Sequence, residues 1–207
     1  MSQISKVIPT FKCVIVGPAG CGKTCLIESH LTGAFENNYK PTQSTEEFQL
    51  TFHTGRGPIC FKVWESTGRK EHYTDAECGI IMYDFSSKTS YDAVPELAKE
   101  LASICGNIPV AICANKFDLF SATSHMRILN DQVVMSVKLR LNMGGPFIYL
   151  AKKLFGDPSL CFVPMMAAQP PYAPISKDEQ LRILLMELPE LPKEDYDDYY
   201  NHILPKT

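Results

Sequence analysis

The order of apolar segments predicts an α/β fold: a mixed, mostly parallel sheet of six strands with helices on both faces and one antiparallel hairpin at its edge. Two observations support it. Short apolar runs typical of buried strands alternate with segments of helical periodicity, and two strand-like runs are joined by a glycine-containing turn. Residues 161–207 are proline-rich and then acidic, which predicts a C-terminal extension to a domain covering residues 1–160.

The apolar pattern also places the individual elements. Strands are predicted at residues 11–17, 46–54, 59–65, 78–84, 110–114 and 132–135, and helices at 23–31, 146–155 and 178–186. Gly33 is expected to end the first helix. Another helix is predicted after the capping candidates Ser87 and Thr89. Its apolar stripe is expected to be core: Tyr91, Val94, Leu97, Ala98, Leu101 and Ile104.

Composition predicts a soluble globular protein of the nucleus or cytoplasm. Of the 207 residues 45% are hydrophobic and the net charge is −3, which argues against a disordered chain and against a direct nucleic-acid partner. The eight cysteines are scattered without a C-x-x-C pair, as expected for reduced buried thiols rather than disulfides or zinc ligands. No signal peptide is expected, and no apolar run approaches the roughly 20 residues of a membrane helix.

The segment GPAGCGKT, residues 17–24, follows the first predicted strand and opens the first helix. It matches the phosphate-binding pattern G-x-x-x-x-G-K-[ST]. In this pattern glycines let backbone N–H groups face phosphate oxygens, Lys23 reaches the β and γ oxygens, and the Thr24 hydroxyl ligates Mg²⁺. The alternative is a glycine-rich turn without a ligand. The position between a strand and a helix favours the phosphate loop.

A second motif, Asn115-Lys116-Phe117-Asp118, follows the predicted strand at residues 110–114. Ligands of open α/β sheets bind at the carboxyl ends of strands, and this motif lies at such an end. The motif could be a turn that merely ends the strand. With a phosphate loop in the same sheet, the favoured interpretation is that Asp118 accepts from two guanine donors, which adenine cannot match.

These motifs and their surroundings resemble the small GTPases, and the resemblance to the Ran family extends over nearly the whole chain. It is carried by HLTGAFENNY, FHTGRGPICFKVW, IIMYD, NIPVAICANKFD and PFIYLAKKLFGDPSLCFV, followed by a proline-rich stretch and an acidic tail. The resemblance implies a P-loop NTPase G domain that binds GTP or GDP with Mg²⁺.

The resemblance also implies roles for single residues. Thr42 would fold over Mg²⁺ and the γ-phosphate, Gly68 would donate its N–H to that phosphate, and Phe35 and Tyr39 would flank the nucleotide unless they are loop aromatics that cover the core. The expected nucleotide contacts are Gly17, Pro18, Ala19, Gly20, Cys21, Gly22, Lys23, Thr24, Cys25, Phe35, Tyr39, Thr42, Gly68, Asn115, Lys116, Asp118, Ser136, Val137 and Lys138. The expected metal ligands are Thr24 and Thr42, with Glu65 acting through water. The expected catalytic residues are Lys23, Thr42 and Arg69.

Three departures from the family pattern predict slow GTP hydrolysis. The family's Asp-Thr-Ala-Gly-Gln is replaced here by residues 65–69, ESTGR. Arg69 therefore stands where the family has the glutamine that orients the attacking water, and a guanidinium has no acceptor for that water. Ala19 replaces a phosphate-loop glycine. The segment between Arg69 and Cys78 is also shorter than in the family, so it cannot hold a catalytic side chain as the family does. The segment 120–131 is shorter too, a departure that concerns partner contacts and not hydrolysis.

Two functions are consistent with these observations. The first is a Ran-type switch in nucleocytoplasmic transport. The second is a non-hydrolysing pseudo-GTPase that stays GTP-loaded and titrates Ran partners. The resemblance implies importin- and exportin-type receptors, Ran-binding-domain proteins, an exchange factor and a GTPase activator as partners of a monomer. A nucleoside kinase is disfavoured because nothing resembles its lid.

The chain ends in HILPKT, without the cysteine that a C-terminal prenyl anchor needs, so no membrane anchor is expected. The acidic run in residues 187–198 has two interpretations. It is a solvated tail, or it packs on the GDP form as the corresponding tail does in the Ran family.

Overall fold

The computed structural model describes residues 7–33, 35, 47–65, 73–119 and 132–163. The predicted helix at 178–186 and the acidic run lie outside the described residues. Among the helices that are described, none is both long and apolar enough to cross a membrane.

Six strands of the described chain form one sheet in the order β2-β3-β1-β4-β5-β6. Their bounds are β1 Thr10–Val16, β2 Glu47–Thr54, β3 Gly57–Glu65, β4 Cys78–Asp84, β5 Val110–Asn115 and β6 Gln132–Val134. Only β2 and β3 pair antiparallel; every other neighbouring pair is parallel. The predicted mixed sheet with one edge hairpin is confirmed.

The register of the parallel strands determines which residues meet at the carboxyl edge of the sheet. Glu65, the last residue of β3, is opposite Ile15 of β1. Asp84, the last residue of β4, is opposite Asn115 at the end of β5. Because parallel strands end at the same edge, these polar residues lie in one row beside the segment that follows β1.

Helices cover both faces of the sheet, as predicted. Their bounds are α1 Lys23–Thr32, α2 Lys88–Asp92, α3 Val94–Cys105 and α4 Gly145–Phe155. Leu26 of α1 and Phe147 of α4 belong to one buried cluster, whereas Val94 and Leu101 of α3 belong to the cluster on the opposite face. Gly33 ends α1 in the left-handed conformation at φ 68°, because glycine enters that region without a steric penalty.

The expectation of one continuous helix through residues 91–104 is wrong. The chain forms the short helix α2, turns at Ala93 and continues as α3. Pro95 in the first turn of α3 explains the break, since a proline has no N–H to extend a preceding helix and is well tolerated at a helix start. Ser87 caps α2 as predicted, with its side chain accepting from the Ser90 N–H, while Thr89 lies inside the helix. The apolar stripe does pack in the core.

All eight cysteines are free, and five of them are buried: Cys13, Cys21, Cys60, Cys78 and Cys113. This agrees with the expectation of buried thiols. After α4 the chain returns to the edge strand β2. There Phe162 stacks on Phe52 with ring centroids 4.5 Å apart, and the Val163 N–H donates to the His53 carbonyl at 2.8 Å. This contact places the last described residues on the outer strand of the sheet.

Candidate nucleotide-binding site

The loop between β1 and α1 depends on glycine at two positions where a side chain would collide with the rest of the site. A Cβ on Gly17 would overlap the Met82 carbonyl of β4, and a Cβ on Gly22 would overlap the Asn115 amide. Gly22 also has φ 103°, which disfavours any L side chain. The loop therefore passes directly across the ends of β4 and β5.

Lys23 follows these glycines and turns back over the loop. Its Nζ donates to the carbonyls of Gly17 and Pro18 at 2.9 and 3.2 Å, and the residue is only 9% exposed. Ala19, at the tip of the loop, is exposed, whereas Cys21 is buried. No side chain caps the start of α1. A helix start without a side-chain cap, beside a lysine ammonium, is the arrangement that attracts phosphate oxygens.

The next residue, Thr24, meets the carboxylate that ends β3. Its Oγ1 donates to Glu65 Oε1 at 2.8 Å, and Glu65 is only 3% exposed. A hydroxyl and a carboxylate oxygen are hard donors of the kind that Mg²⁺ prefers, so these two residues fit a magnesium site beside the phosphate loop.

Asn115 connects the phosphate loop to the segment after β6. Its Nδ2 donates to the Cys21 carbonyl at 2.8 Å, and its Oδ1 accepts from the Val137 N–H at 3.1 Å. Asn115 is 2% exposed. Because the amide bonds a backbone group at each of its ends, Asn115 positions the two loops relative to each other. Its Nδ2 keeps a second N–H and its Oδ1 a second lone pair, so the predicted nucleotide contact stays a prediction.

Lys116 has a left-handed backbone, φ 62°, which is uncommon for a non-glycine residue and often marks a functional position. Its ammonium donates to Asp84 Oδ2 at 2.8 Å. Burial favours the neutral form of Asp84, but the hydrogen bonds from Lys116 and Ser86 outweigh it and lower the pKa of the carboxyl below its usual value. The pair fixes Lys116 at the end of β5. Sequence reasoning missed Asp84, whose only signal was an aspartate ending the strand next to β5.

Asp118 lies in a 3-10 turn, Phe117–Leu119, directly after β5. Its Oδ1 accepts from Ser136 Oγ at 2.5 Å, and its Oδ2 is 3.5 Å from the ammonium of Lys138. Each carboxylate oxygen has two lone pairs, so Asp118 retains acceptor capacity for two ligand donors. Ser136 and Lys138 orient the carboxylate.

The described residues thus bring together three segments that are distant in the sequence: residues 17–25, 115–118 and 136–138, with Glu65 beside Thr24. Phe35 is half-buried and packs against the core cluster of α1 and α4, in line with the core alternative considered for it. Tyr39, Thr42, Gly68 and Arg69 lie outside the described residues, so their predicted roles stay predictions.

A phosphate loop at the switch between strand and helix, in a mostly parallel sheet covered on both faces, defines a P-loop nucleotide-binding protein. A family model described as Ras family matches residues 12–141, more than half of the 207-residue chain. The chain belongs to the Ras family of small GTPases, and its fold is that of a GTP-binding G domain.

Proposed function

We propose that this protein binds GTP and GDP with Mg²⁺ through residues 17–25, Glu65, 115–118 and 136–138. The observation that carries the proposal is the pair of hydrogen bonds by which Asn115 joins the phosphate loop to Val137. That bridge connects the phosphate loop to Val137, and the neighbouring Ser136 donates to the Asp118 carboxylate. Bound Mg²⁺ would neutralise phosphate charge there, held by Thr24 and Glu65, while Lys23 supplies a positive charge from the loop.

We further infer a Ran-type role in nucleocytoplasmic transport, in which the GTP-bound form engages importin- or exportin-type receptors and Ran-binding-domain proteins in the nucleus and cytoplasm. The segments that resemble the Ran family, from HLTGAFENNY to the segment after α4, support this role. An exchange factor and a GTPase activator would set the nucleotide state of the monomer.

GTP hydrolysis by this protein is proposed to be slow. Arg69 offers donors but no acceptor to a water molecule, and Ala19 adds a methyl group at the exposed tip of the phosphate loop. Loss of one well-placed catalytic contribution typically costs about 10²–10³ in rate. If the loss is complete, the second candidate applies: a pseudo-GTPase that remains GTP-loaded and titrates Ran partners. The missing acceptor at position 69 is the observation that favours it.

A single-turnover hydrolysis assay on GTP-loaded protein separates the two functions. Slow release of phosphate by the parent protein, raised by the double change Arg69→Gln and Ala19→Gly, supports a slow GTPase. No release from the parent, with or without the GTPase activator of Ran, supports the pseudo-GTPase. Ran-like hydrolysis by the unchanged protein in the presence of that activator would contradict the proposal. A decrease in rate on Arg69→Ala would instead indicate that Arg69 stabilises charge on the γ-phosphate.

A receptor-binding assay tests the transport role on its own. An importin-type receptor immobilised on resin should retain the protein loaded with a non-hydrolysable GTP analogue and not the GDP-loaded protein. Equal retention of the two forms, or retention of neither, would refute the Ran-type role while leaving nucleotide binding intact.

A further inference from the structure

The strand β2 forms an outer edge of the sheet, because among the described strands it pairs with β3 alone. Pro58 of β3 lies opposite His53 and has no N–H to donate, so His53 belongs to a pair that is not hydrogen-bonded across the hairpin. The backbone groups of His53 therefore point away from β3. Because this direction alternates along an antiparallel pair, the backbone groups of Thr51, Gln49 and Glu47 point to the same outer edge.

Two contacts at this edge fix the direction and register of the segment that follows α4. Phe162 forms an antiparallel bridge with Thr54, and the Val163 N–H donates to the His53 carbonyl at 2.8 Å. In an antiparallel pair, each further residue of one strand meets the preceding residue of the other. If the pairing continues without a bulge, residue 169 comes opposite residue 47, where β2 begins.

The sequence after Val163 fits that register. Pro164 would come opposite Phe52, at a position where the N–H of an added strand points to solvent, so its missing donor costs no hydrogen bond. Residues 165–169, MMAAQ, contain neither proline nor glycine and can extend the strand. Two prolines then follow at 170 and 171, directly after the position opposite the first residue of β2. The segment that can pair is therefore as long as the edge available to it.

The side chains of β2 also leave apolar surface for such a strand. Opposite residues of paired strands share a face. Phe162, opposite Thr54, already stacks on Phe52 of the apolar face. Further along that face, Leu50 is buried and Phe48 is half-buried. Met166 would come opposite Leu50, between the two phenylalanine rings of β2, and a thioether packs favourably against aromatic rings.

We propose that residues 162–169 form a seventh strand, antiparallel to β2, and that the outer edge of β2 is the docking site of the C-terminal extension. Proteins commonly cover a long edge strand, because its unpaired backbone groups invite pairing with other chains. The seventh strand ends beside Glu47, which lies opposite Trp64, the neighbour of Glu65 in the candidate site. The rest of the extension then starts at the carboxyl edge of the sheet, where the candidate site lies.

Amide hydrogen exchange, followed by nuclear magnetic resonance on the full chain, tests the proposal residue by residue. The N–H groups of Gln49 and Thr51 should exchange on the order of tenfold more slowly than unpaired amides. Ala167→Pro removes the N–H that would donate to the Gln49 carbonyl, and it should abolish this protection. Ala168→Pro is the matched control: the same change one residue further on, where the N–H would point to solvent, should leave the protection intact.

A second measurement on the parent protein keeps the test decisive if Ala167→Pro fails to fold. Leu50 and Met166 would form a pair that is not hydrogen-bonded, with Cα atoms about 4.5 Å apart, so their α protons should give a strong nuclear Overhauser effect. Absence of this signal, fast exchange of Gln49 and Thr51 in the parent, or equal protection in the two proline variants overturns the proposal. Protection that grows with protein concentration and survives Ala167→Pro also overturns it, because the edge would then pair with a second copy of the chain.

Discussion

Replacing Asn115 with alanine tests whether its hydrogen bonds hold the phosphate loop and the segment after β6 together. The change removes the hydrogen bonds to the Cys21 carbonyl and from the Val137 N–H. Cys21 and Val137 are both buried, so each backbone group loses its partner without gaining water. Two lost bonds and two unsatisfied groups together cost about 2–5 kcal/mol. That is a large fraction of the roughly 5–15 kcal/mol that stabilises an ordinary domain.

The same change should accelerate nucleotide release, because the loops on the phosphate side and the base side would no longer be held together. If only about 1.4 kcal/mol of the loss is expressed in binding, release becomes tenfold faster. Urea unfolding measures the stability, and displacement of a fluorescent GDP analogue measures the release rate.

A matched control for the Asn115 change is Asn142→Gly, which removes the hydrogen bond from Asn142 Nδ2 to the Val134 carbonyl outside the site. Glycine suits this position because Asn142 has φ 51°. The control should lose about 1 kcal/mol of stability and release GDP at the parent rate. A destabilised Asn115→Ala protein that also released GDP at the parent rate would show that the bridge supports the fold and not the nucleotide.

Three further predictions concern the base, the phosphates and pH. Asp118→Asn should shift preference from guanine to xanthine nucleotides in a competition titration, and equal binding of ATP and GTP by the parent would refute guanine recognition. Lys23→Ala should weaken GTP binding, and Thr24→Asn should bias the protein towards the empty or GDP-bound state; unchanged GTP affinity in either variant would contradict the phosphate-loop assignment. Burial lowers the pKa of His30 in the folded state, against the hydrogen bond with the Met143 carbonyl, which raises it. Because the unfolded chain then binds the proton more readily, this contribution to stability is present above about pH 6.5 and is lost as pH falls through the folded pKa. Urea unfolding from about pH 5 to 7.5 should show this slope in the parent and not in His30→Phe.

The sheet and most helix bounds could be predicted because they follow from local periodicity and glycine positions. The break at Ala93 shows the limit of that reasoning. An apolar stripe at helical spacing continues across it, yet Pro95 removes the donor that would have joined the two helices. Pro95 is present in the sequence, but a prediction from apolar spacing takes no account of a missing backbone donor, and it therefore gave one continuous helix.

The residue types of the site were also predictable, but the partners of several side chains were not. The hydrogen bonds of Asn115 to two backbone groups and the pairing of Lys116 with Asp84 were not predicted. Both arrangements depend on which strands are neighbours and on their register, as in the pairing of Asp84 with Asn115. A motif specifies the chemistry of a segment, whereas register specifies what that segment faces.

The departures from the family pattern are unevenly distributed, and this has an energetic consequence. The proposed base side keeps the family residues Asn115, Lys116 and Asp118, and the base contacts expected there would be the same in the ground state and in the transition state. Two of the altered residues are predicted to act on the phosphate side, Ala19 in the phosphate loop and Arg69 at the predicted catalytic position, where contacts would matter most as charge develops on the γ-phosphate. Interactions common to both states set affinity, and only those stronger in the transition state set the chemical rate. A site altered in this way is expected to retain affinity for GTP while losing rate, so binding and hydrolysis should respond independently when the two sides are mutated.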